Sequence, residues 1–308
     1  MSQVEAPRTL LAEFTRDEPT ALRGLLEIVR PKVIGLVVFT GLPALVLGQQ
    51  TWPSATQAFF VLLGTALIGG ACSAFNAVIE RDSDARMART RQRPLPAAAM
   101  SPSMVTTYGV VLTLVGSVVL YAAGSALAVA IGLGTIAFYV GVYTAWLKPR
   151  TPQNIVIGGA AGSTAPLIAS AAVGDGISAG AVILFLIVFL WTPPHFWAIA
   201  IFRKREYELA GFPMMPSVVG NRATRWRSLG YAALLLPVTL APVGLGQLSW
   251  GYGAVAVVVG VGFLVSMARS IVLDRPPVDR QVFRHSIVHL SLLFGAMLVD
   301  LVGQRMLE

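Results

Sequence analysis

The sequence contains very little cysteine, histidine and charge for a chain of 308 residues. Its single cysteine, Cys72, excludes a disulfide within the chain and a metal cluster held by several cysteines. Charged residues make up 12%, about half the share that is usual in soluble domains. The alternation of apolar and polar residues that marks a membrane β-barrel is missing as well. The sequence therefore argues against a soluble domain, a disulfide-rich fold and a β-barrel.

The chain has instead a series of apolar runs of about 20 residues, each long enough to cross a hydrocarbon core of about 30 Å. Hydrophobic residues make up 55%, and the mean hydropathy is +0.71. Because lipid offers backbone groups no hydrogen-bond partners, such runs must be helices. We predict an all-α polytopic bundle of about nine transmembrane helices, at residues 33–49, 56–79, 104–123, 126–146, 154–173, 178–201, 228–246, 252–272 and 282–302.

Lysine and arginine cluster before the first predicted span and after the second, fourth, sixth and eighth. Every basic residue except Arg305 falls on that side. The positive-inside rule then places the N-terminus in the cytoplasm. Orientation and anionic lipid headgroups account for the net charge of +8, so we expect contact with membrane lipid and no nucleic-acid partner.

Residues 1–26 are predicted to form a polar cytoplasmic segment, and residues 27–308 a single transmembrane domain. The first segment has no apolar stretch beside a small-residue cleavage site, so we expect no cleaved signal peptide and a multi-pass location in a bacterial plasma membrane. Two cytoplasmic loops are long, at about 80–103 and 202–227. Long ordered loops tend to be functional, which favours them as the site of chemistry.

Asn76, Glu80 and Asp84 are spaced four residues apart at the cytoplasmic end of the second span. On a helix they lie within about 40° of one stripe, from which Asp82 points away. Two carboxylates and an amide carbonyl are hard oxygen ligands that suit Mg²⁺ shared with substrate phosphates. The alternative is an ordinary charged loop at the membrane border, with Asn76 as a polar residue of the bundle.

Basic residues follow this stripe at once, and guanidinium groups beside acidic metal ligands suit a diphosphate–magnesium complex. In the second long loop, Glu206 could supply a carboxylate for a second metal ion. Its alternative role is a solvated surface acid that pairs with Arg203. Pro193 and Pro194 are expected to kink or break the sixth helix.

The chain resembles the UbiA superfamily of intramembrane prenyltransferases and, within it, the protohaem IX farnesyltransferases. The resemblance covers about Arg30 to Leu293. It rests on the acidic stripe and on the stretches Arg89-Thr-Arg-Gln-Arg93-Pro-Leu, Tyr143-Thr-Ala-Trp-Leu-Lys148, Asn154-Ile-Val-Ile-Gly-Gly, Pro-His195-Phe, Ala210-Gly-Phe-Pro-Met-Met-Pro216 and His285-Ser-Ile-Val-His289-Leu.

The resemblance implies transfer of farnesyl from farnesyl diphosphate to a vinyl group of haem B, which gives haem O. It implies Mg²⁺ as the cofactor and a haem A synthase as a candidate partner. The implied metal ligands are Asn76, Glu80, Asp84 and Glu206. The implied diphosphate ligands are Tyr143 and Lys148, with Arg89, Arg93 and Arg203 as further candidates.

Two departures from the superfamily pattern bear on metal binding. Glu80 and Glu206 stand where aspartate is usual, which keeps the charge and changes the coordination geometry. Ala210 stands where a further aspartate is common, so a second metal ion would have fewer protein ligands.

The three histidines, His195, His285 and His289, all lie near predicted cytoplasmic helix ends. The resemblance makes them candidates for handling haem, through an axial bond to iron or a hydrogen bond to a propionate. The alternative is hydrogen bonding within the helix bundle.

Two other functions compete with this one. A UbiA relative could prenylate another aromatic or tetrapyrrole acceptor. A small-molecule transporter would also suit nine apolar helices, although transporters commonly show internal repeats and a polar site at the membrane midplane. Neither feature is visible in the sequence.

Overall fold

A computed structural model describes residues 21–49 and 52–307. Most of the predicted segment 1–26, including Arg8 and Arg16, therefore lies outside the described residues. Within the described ranges the regular structure is entirely helical, as the composition predicts. The helices are α1 Ala21–Val29, α2 Pro31–Gly41, α3 Ala55–Ile79, α4 Arg81–Ala85, α5 Pro102–Ala123, α6 Ala126–Ala137, α7 Asn154–Gly162, α8 Ala165–Val173, α9 Ala179–Phe202, α10 Lys204–Leu209, α11 Met215–Val219, α12 Asn221–Gly244, α13 Trp250–Leu273 and α14 Pro276–Leu307.

Two further helical segments extend these elements. A 3₁₀ turn, Pro43–Leu45, continues α2, and a π-helix, Phe138–Leu147, continues α6. Seven stretches of the described chain are long and apolar enough to cross a membrane: α3, α5, α6 with the π-helix, α7 with α8, α9, α13 and α14. Pro31–Leu45 is a shorter apolar stretch. The count of nine spans stays a prediction.

The seventh predicted span corresponds to α12, which is not among those seven stretches. Its first two turns carry Arg222, Arg225 and Arg227, so its N-terminal part is strongly polar.

Serine residues mark where five of the helices begin. A serine hydroxyl accepts a hydrogen bond from a free backbone N–H in the first turn of each helix, which is the usual N-cap arrangement. The caps are Ser54 before α3, Ser101 before α5, Ser125 before α6, Ser178 before α9 and Ser249 before α13.

The bundle packs through small residues and a continuous apolar interior. Helix α3 lies along α5, while α9 contacts α7, α12 and α14. At the α3–α5 contact, a Cβ added to Gly116 would lie 3.0 Å from the Cβ of Leu67, so glycine permits this close approach. The interior is filled by fully buried side chains such as Ile68, Leu184 and Phe294.

The proline pair does not break the sixth predicted span. Helix α9 runs without interruption through Pro193 and Pro194, and both side chains are buried in the bundle. Of the two predicted outcomes, a kink or a break, the break does not occur, because helices packed on several sides support a membrane helix where proline removes a backbone hydrogen bond. The kink stays a prediction.

Candidate active site

The acidic stripe predicted from spacing is present and buried. Asn76, Glu80 and Asp84 are 1%, 5% and 2% exposed. The backbone N–H of Glu80 donates to the Asn76 carbonyl at 2.9 Å, and that of Asp84 to the Glu80 carbonyl at 2.7 Å, so the helical path continues past the end of α3. Asp82, by contrast, has a side chain 79% exposed and pairs with Arg81. The prediction that Asp82 points away from the stripe is confirmed.

Each member of the stripe has a cationic partner. The Lys148 ammonium donates to Glu80 Oε1. Arg93 Nη1 donates to Asp84 Oδ2 at 2.8 Å, and Arg30 Nη2 donates to Asn76 Oδ1 at 3.1 Å. Burying carboxylates is costly unless they are paired, and these pairs meet that requirement. The stripe therefore lies among at least three positive charges.

The Arg30 guanidinium lies close enough to Arg93 to shift the pKa of Arg93. Burial and the neighbouring Arg30 guanidinium lower the pKa of Arg93 from its ordinary value. A shift in this direction indicates a desolvated, electropositive surrounding. An anionic group such as a diphosphate would relieve that crowding of positive charge.

The π-helix brings three further side chains to the stripe. Its wider turn is visible in the backbone N–H of Lys148, which donates to the Tyr143 carbonyl five residues back at 2.9 Å. The Thr144 hydroxyl donates to the Tyr139 carbonyl at 2.8 Å. Asn76 Nδ2 donates to the same Thr144 hydroxyl at 3.2 Å. Short π-helical stretches occur often at functional sites. Here the turn places Tyr143, Thr144 and Lys148 beside the acidic stripe.

Gly158, in the predicted Asn154-Ile-Val-Ile-Gly-Gly stretch, makes room for the Tyr143 ring. A Cβ added to Gly158 would lie 2.0 Å from Tyr143 Cδ2, which is far inside contact distance. Any side chain larger than hydrogen at this position would therefore displace the ring.

The two long loops meet over this site. The Lys148 ammonium lies 4.8 Å from the ring centroid of Phe212 in the second loop, and 5.8 Å from that of Tyr143. Met87 of the first loop packs in one apolar cluster with Phe212 and Met214 of the second. The Ala210-Gly-Phe-Pro-Met-Met-Pro216 stretch thus caps the site, and the two long loops lie together over it.

Glu206 lies in α10 and is half-buried. Its Oε1 accepts from Arg203, while its Oε2 is buried without a hydrogen-bond partner. Across the described chain, no three His, Cys, Asp or Glu side chains are grouped closely enough to hold a metal ion. Glu206 therefore does not form a ready-made carboxylate cage with Glu80 and Asp84. The oxygen donors nevertheless have the chemistry that Mg²⁺ prefers, and the unpartnered Oε2 atom is a free ligand position.

His195 is buried in α9 and is held by α14. Its ring stacks on Trp191 at 4.2 Å between centroids, and its Nδ1 lies 2.7 Å from the Ser286 hydroxyl. That hydroxyl already donates its only hydrogen to the Phe283 carbonyl at 2.7 Å. Nδ1 must therefore be the donor to Ser286, which leaves the lone pair on Nε2. Such a ring can accept a proton or bind a metal through Nε2.

The other two histidines face a different helix. His289 stacks on Phe263 of α13 at 4.8 Å, and its Nδ1 lies 3.3 Å from the Val259 carbonyl. Its Nε2 is buried without a partner. His285 is half-buried and makes an edge contact with Phe263. The structure therefore does not gather the three histidines into one cluster.

The placement of the remaining basic residues is uneven. Arg203 pairs with Glu206, whereas Arg89 is exposed and makes no hydrogen bond or ion pair with the acidic stripe.

Sequence reasoning missed the contacts of Arg30 and Thr144 with Asn76. Arg30 is the residue before Pro31, in a left-handed conformation with φ 56°, and no local pattern points from it to Asn76.

Sequence reasoning also missed a buried charge network. Arg225 of α12 donates from Nε and Nη2 to Asp279 of α14, at 2.9 and 2.6 Å, and from Nη1 to Asp274. Ser270 of α13 donates to Asp279 at 3.2 Å. The network ties three helices together at their charged end.

Comparison with known proteins places this geometry in context. The profile described as the UbiA prenyltransferase family matches residues 37–293. Proteins named protoheme IX farnesyltransferase are similar over nearly the whole chain. The one from Gluconobacter oxydans is 40% identical and covers 96% of each chain, and the one from Novosphingobium aromaticivorans is 42% identical and covers 94% of this chain and 95% of its own.

Solved structures share the fold at much lower identity. A structure described as digeranylgeranylglyceryl phosphate synthase in membranes has a TM-score of 0.76 at 16% identity, over 92% of this chain and 99% of the other. A UbiA homolog from Archaeoglobus fulgidus, bound to DMAPP and Mg²⁺, has a TM-score of 0.64 at 17% identity, over 90% and 99%. With its seven membrane-length helical stretches, the chain is a multi-pass membrane protein.

Proposed function

The chain belongs to the UbiA prenyltransferase family, and from this premise we propose that it transfers farnesyl from farnesyl diphosphate to a vinyl group of haem B, giving haem O. The full-length similarity to proteins named protoheme IX farnesyltransferase supports this acceptor over another aromatic or tetrapyrrole. Family membership also supports a prenyltransferase rather than a small-molecule transporter. The observation that carries the proposal is the buried acidic stripe with a cation on each member.

The diphosphate would bind where the stripe, the π-helix and the two loops meet. Lys148 and Arg93 are held beside Glu80 and Asp84, and charge-assisted hydrogen bonds from such cations suit phosphate oxygens. Tyr143 forms one wall beside Lys148. Arg203 would extend the cationic surface at the second loop, while Arg89 would contribute charge from the exposed rim.

The oxygen atoms of Asn76, Glu80, Asp84 and Glu206 would hold Mg²⁺. Binding of DMAPP with Mg²⁺ by the Archaeoglobus fulgidus homolog supports divalent metal use in the family. When bound, the metal would neutralise charge on the departing diphosphate. Because glutamate reaches one methylene further than aspartate, Glu80 and Glu206 would set a coordination geometry different from the usual family pattern.

The reaction breaks three bonds, counting the π bond of the vinyl group and one O–H bond of water, and forms two. The bond between farnesyl C1 and the diphosphate oxygen breaks, and the terminal vinyl carbon bonds to C1. Water adds to the other vinyl carbon and releases a proton. The ring centroids of Tyr139 and Tyr143 lie 5.2 Å apart, and the ring faces would stabilise the allylic cation. The capping loops would keep bulk water away from farnesyl C1 until the C–C bond has formed.

His195 would contact the haem acceptor through Nε2, because Ser286 fixes its proton on Nδ1. His289 and His285 would contact the haem from the side where α13 and α14 pack together. In His289, Nε2 is the nitrogen without a hydrogen-bond partner and could bind the haem. The protein would lie in a bacterial plasma membrane, where residues 27–308 would form one transmembrane domain of nine spans surrounded by lipid. The N-terminus and the active-site loops would face the cytoplasm. A haem A synthase is a candidate protein partner.

A membrane assay tests the proposal. Membranes that contain the protein would be supplied with haem B, farnesyl diphosphate and Mg²⁺, and the haem products would be identified by mass. We expect haem O, and no haem O when farnesyl diphosphate or the divalent metal is left out. If folded protein makes no haem O, the haem assignment is wrong, and aromatic acceptors should be screened next.

A further inference from the structure

A second cluster of cationic and aromatic side chains lies at the end of α9 beside α14. The Phe202 ring is its centre. The guanidinium carbons of Arg203 and Arg280 lie 5.8 and 5.5 Å from the Phe202 ring centroid. Phe283 lies 6.1 Å from Phe202 and 4.9 Å from His195. An aromatic surface thus connects two guanidinium groups with the buried histidine.

Arg280 differs from Arg93 and Arg203 because it has no acidic partner. It is exposed and forms no ion pair with any carboxylate of the described chain. The adjacent Asp279 does not pair with it, because Arg225 occupies both oxygens of that carboxylate. The guanidinium of Arg280 is therefore available to an anion that arrives from outside the protein.

We propose that Arg280 binds a propionate carboxylate of the haem acceptor, with the macrocycle lying against Phe202 and Phe283. This inference rests on the proposed function. Haem B combines a flat apolar ring with two carboxylates on one edge. A surface that fits it must offer aromatic contact next to a cation, and guanidinium binds carboxylate through two parallel hydrogen bonds.

The position of the cluster suits an acceptor for farnesyl transfer. Arg203 contacts both Phe202 and Glu206, so the aromatic surface adjoins the second acidic position of the candidate metal site. The vinyl groups of haem B lie opposite the propionates. Holding a propionate at the charged rim therefore directs the vinyl edge inward. The opposite orientation would bury the propionate carboxylates without a partner, which is costly.

The test compares Arg280→Gln with Arg275→Gln, another exposed arginine in the connection between α13 and α14. Both variants and the wild type would be placed in phosphatidylcholine vesicles. Haem B and its dimethyl ester, which lacks the carboxylate charge, would be titrated by absorbance without farnesyl diphosphate. The KM for each acceptor and for farnesyl diphosphate would then be measured.

We expect Arg280→Gln to weaken haem B binding and to raise its KM by about tenfold, because glutamine lacks the charge and the paired donors of guanidinium. The KM for farnesyl diphosphate should stay unchanged. The dimethyl ester should bind the wild type and Arg280→Gln equally well. Arg275→Gln should match the wild type throughout.

Two results would overturn the inference. One is equal binding of haem B by the two variants. The other is equal weakening of haem B and its ester by Arg280→Gln, which would mean that Arg280 acts on lipid headgroups or on the fold. If the wild type makes no haem O, the proposed function fails, and the absorbance titration still decides separately whether Arg280 binds the propionate.

Discussion

Gly158 lies where helix α7 passes the Tyr143 ring, and its substitution tests whether that ring belongs to the site. In Gly158→Ala the new Cβ would fall 2.0 Å from Tyr143 Cδ2, so the ring must move. We expect farnesyl transfer to fall by about 100-fold, since small misplacement of a site residue is costly. Overpacking should also lower stability, by about 1–3 kcal/mol.

Gly162→Ala is the matched control, because Gly162 lies in the same helix and an added Cβ would meet nothing within 4 Å. Product formation by mass and thermal unfolding would be measured for both variants. Equal activity of the two variants would show that Tyr143 has no part in the reaction.

At this scale the sequence predicts side chains that share a helix and misses those that meet across the fold. Asn76, Glu80 and Asp84 could be found because helical periodicity is local. Arg30 and Thr144 could not, because they are 46 and 68 positions from Asn76 in the chain and reach it only through helix packing.

The second to sixth predicted spans match helical stretches in length, but their internal detail was not predicted. The fourth predicted span, 126–146, coincides with Ala126–Leu147, but nothing in the apolar run indicates that its second half is a π-helix. The fifth, 154–173, is divided between α7 and α8 at Ser163 and Thr164. Hydrophobicity sets the length of a span, whereas side-chain hydrogen bonds and neighbouring helices set its local winding.

The network around Arg225 makes a prediction for the junction of α12, α13 and α14. Arg225→Met would leave the Asp279 carboxylate buried with only Ser270 as partner. Removing one member of a buried pair typically costs about 3–5 kcal/mol, so we expect a clearly lower unfolding temperature in detergent. Arg222→Met, an exposed arginine of the same helix, should unfold like the wild type. Equal unfolding temperatures for both variants would contradict a stabilising role of the network.

For the whole molecule, the distribution of basic residues predicts an orientation that can be measured directly. Cys72 is buried and should not react, so single added cysteines report their own side of the membrane. We expect Arg91→Cys to react with a membrane-impermeant maleimide only after the cells are opened. Ala126→Cys, exposed at the short connection before α6, should react in intact cells. The reverse labelling pattern would contradict the predicted topology and would place the N-terminus on the outer side.

The central claim is that the buried acidic stripe carries farnesyl transfer to haem B. The most direct measurement is haem O formation by membranes containing the wild type, Asp84→Asn or Asp82→Asn, with products identified by mass. Asp84 is buried beside Arg93, and Asp82 lies two residues away with a side chain that is exposed. We predict haem O at similar levels from the wild type and Asp82→Asn, and a loss of at least about 100-fold in Asp84→Asn. Equal haem O from all three proteins would contradict the assignment of the site.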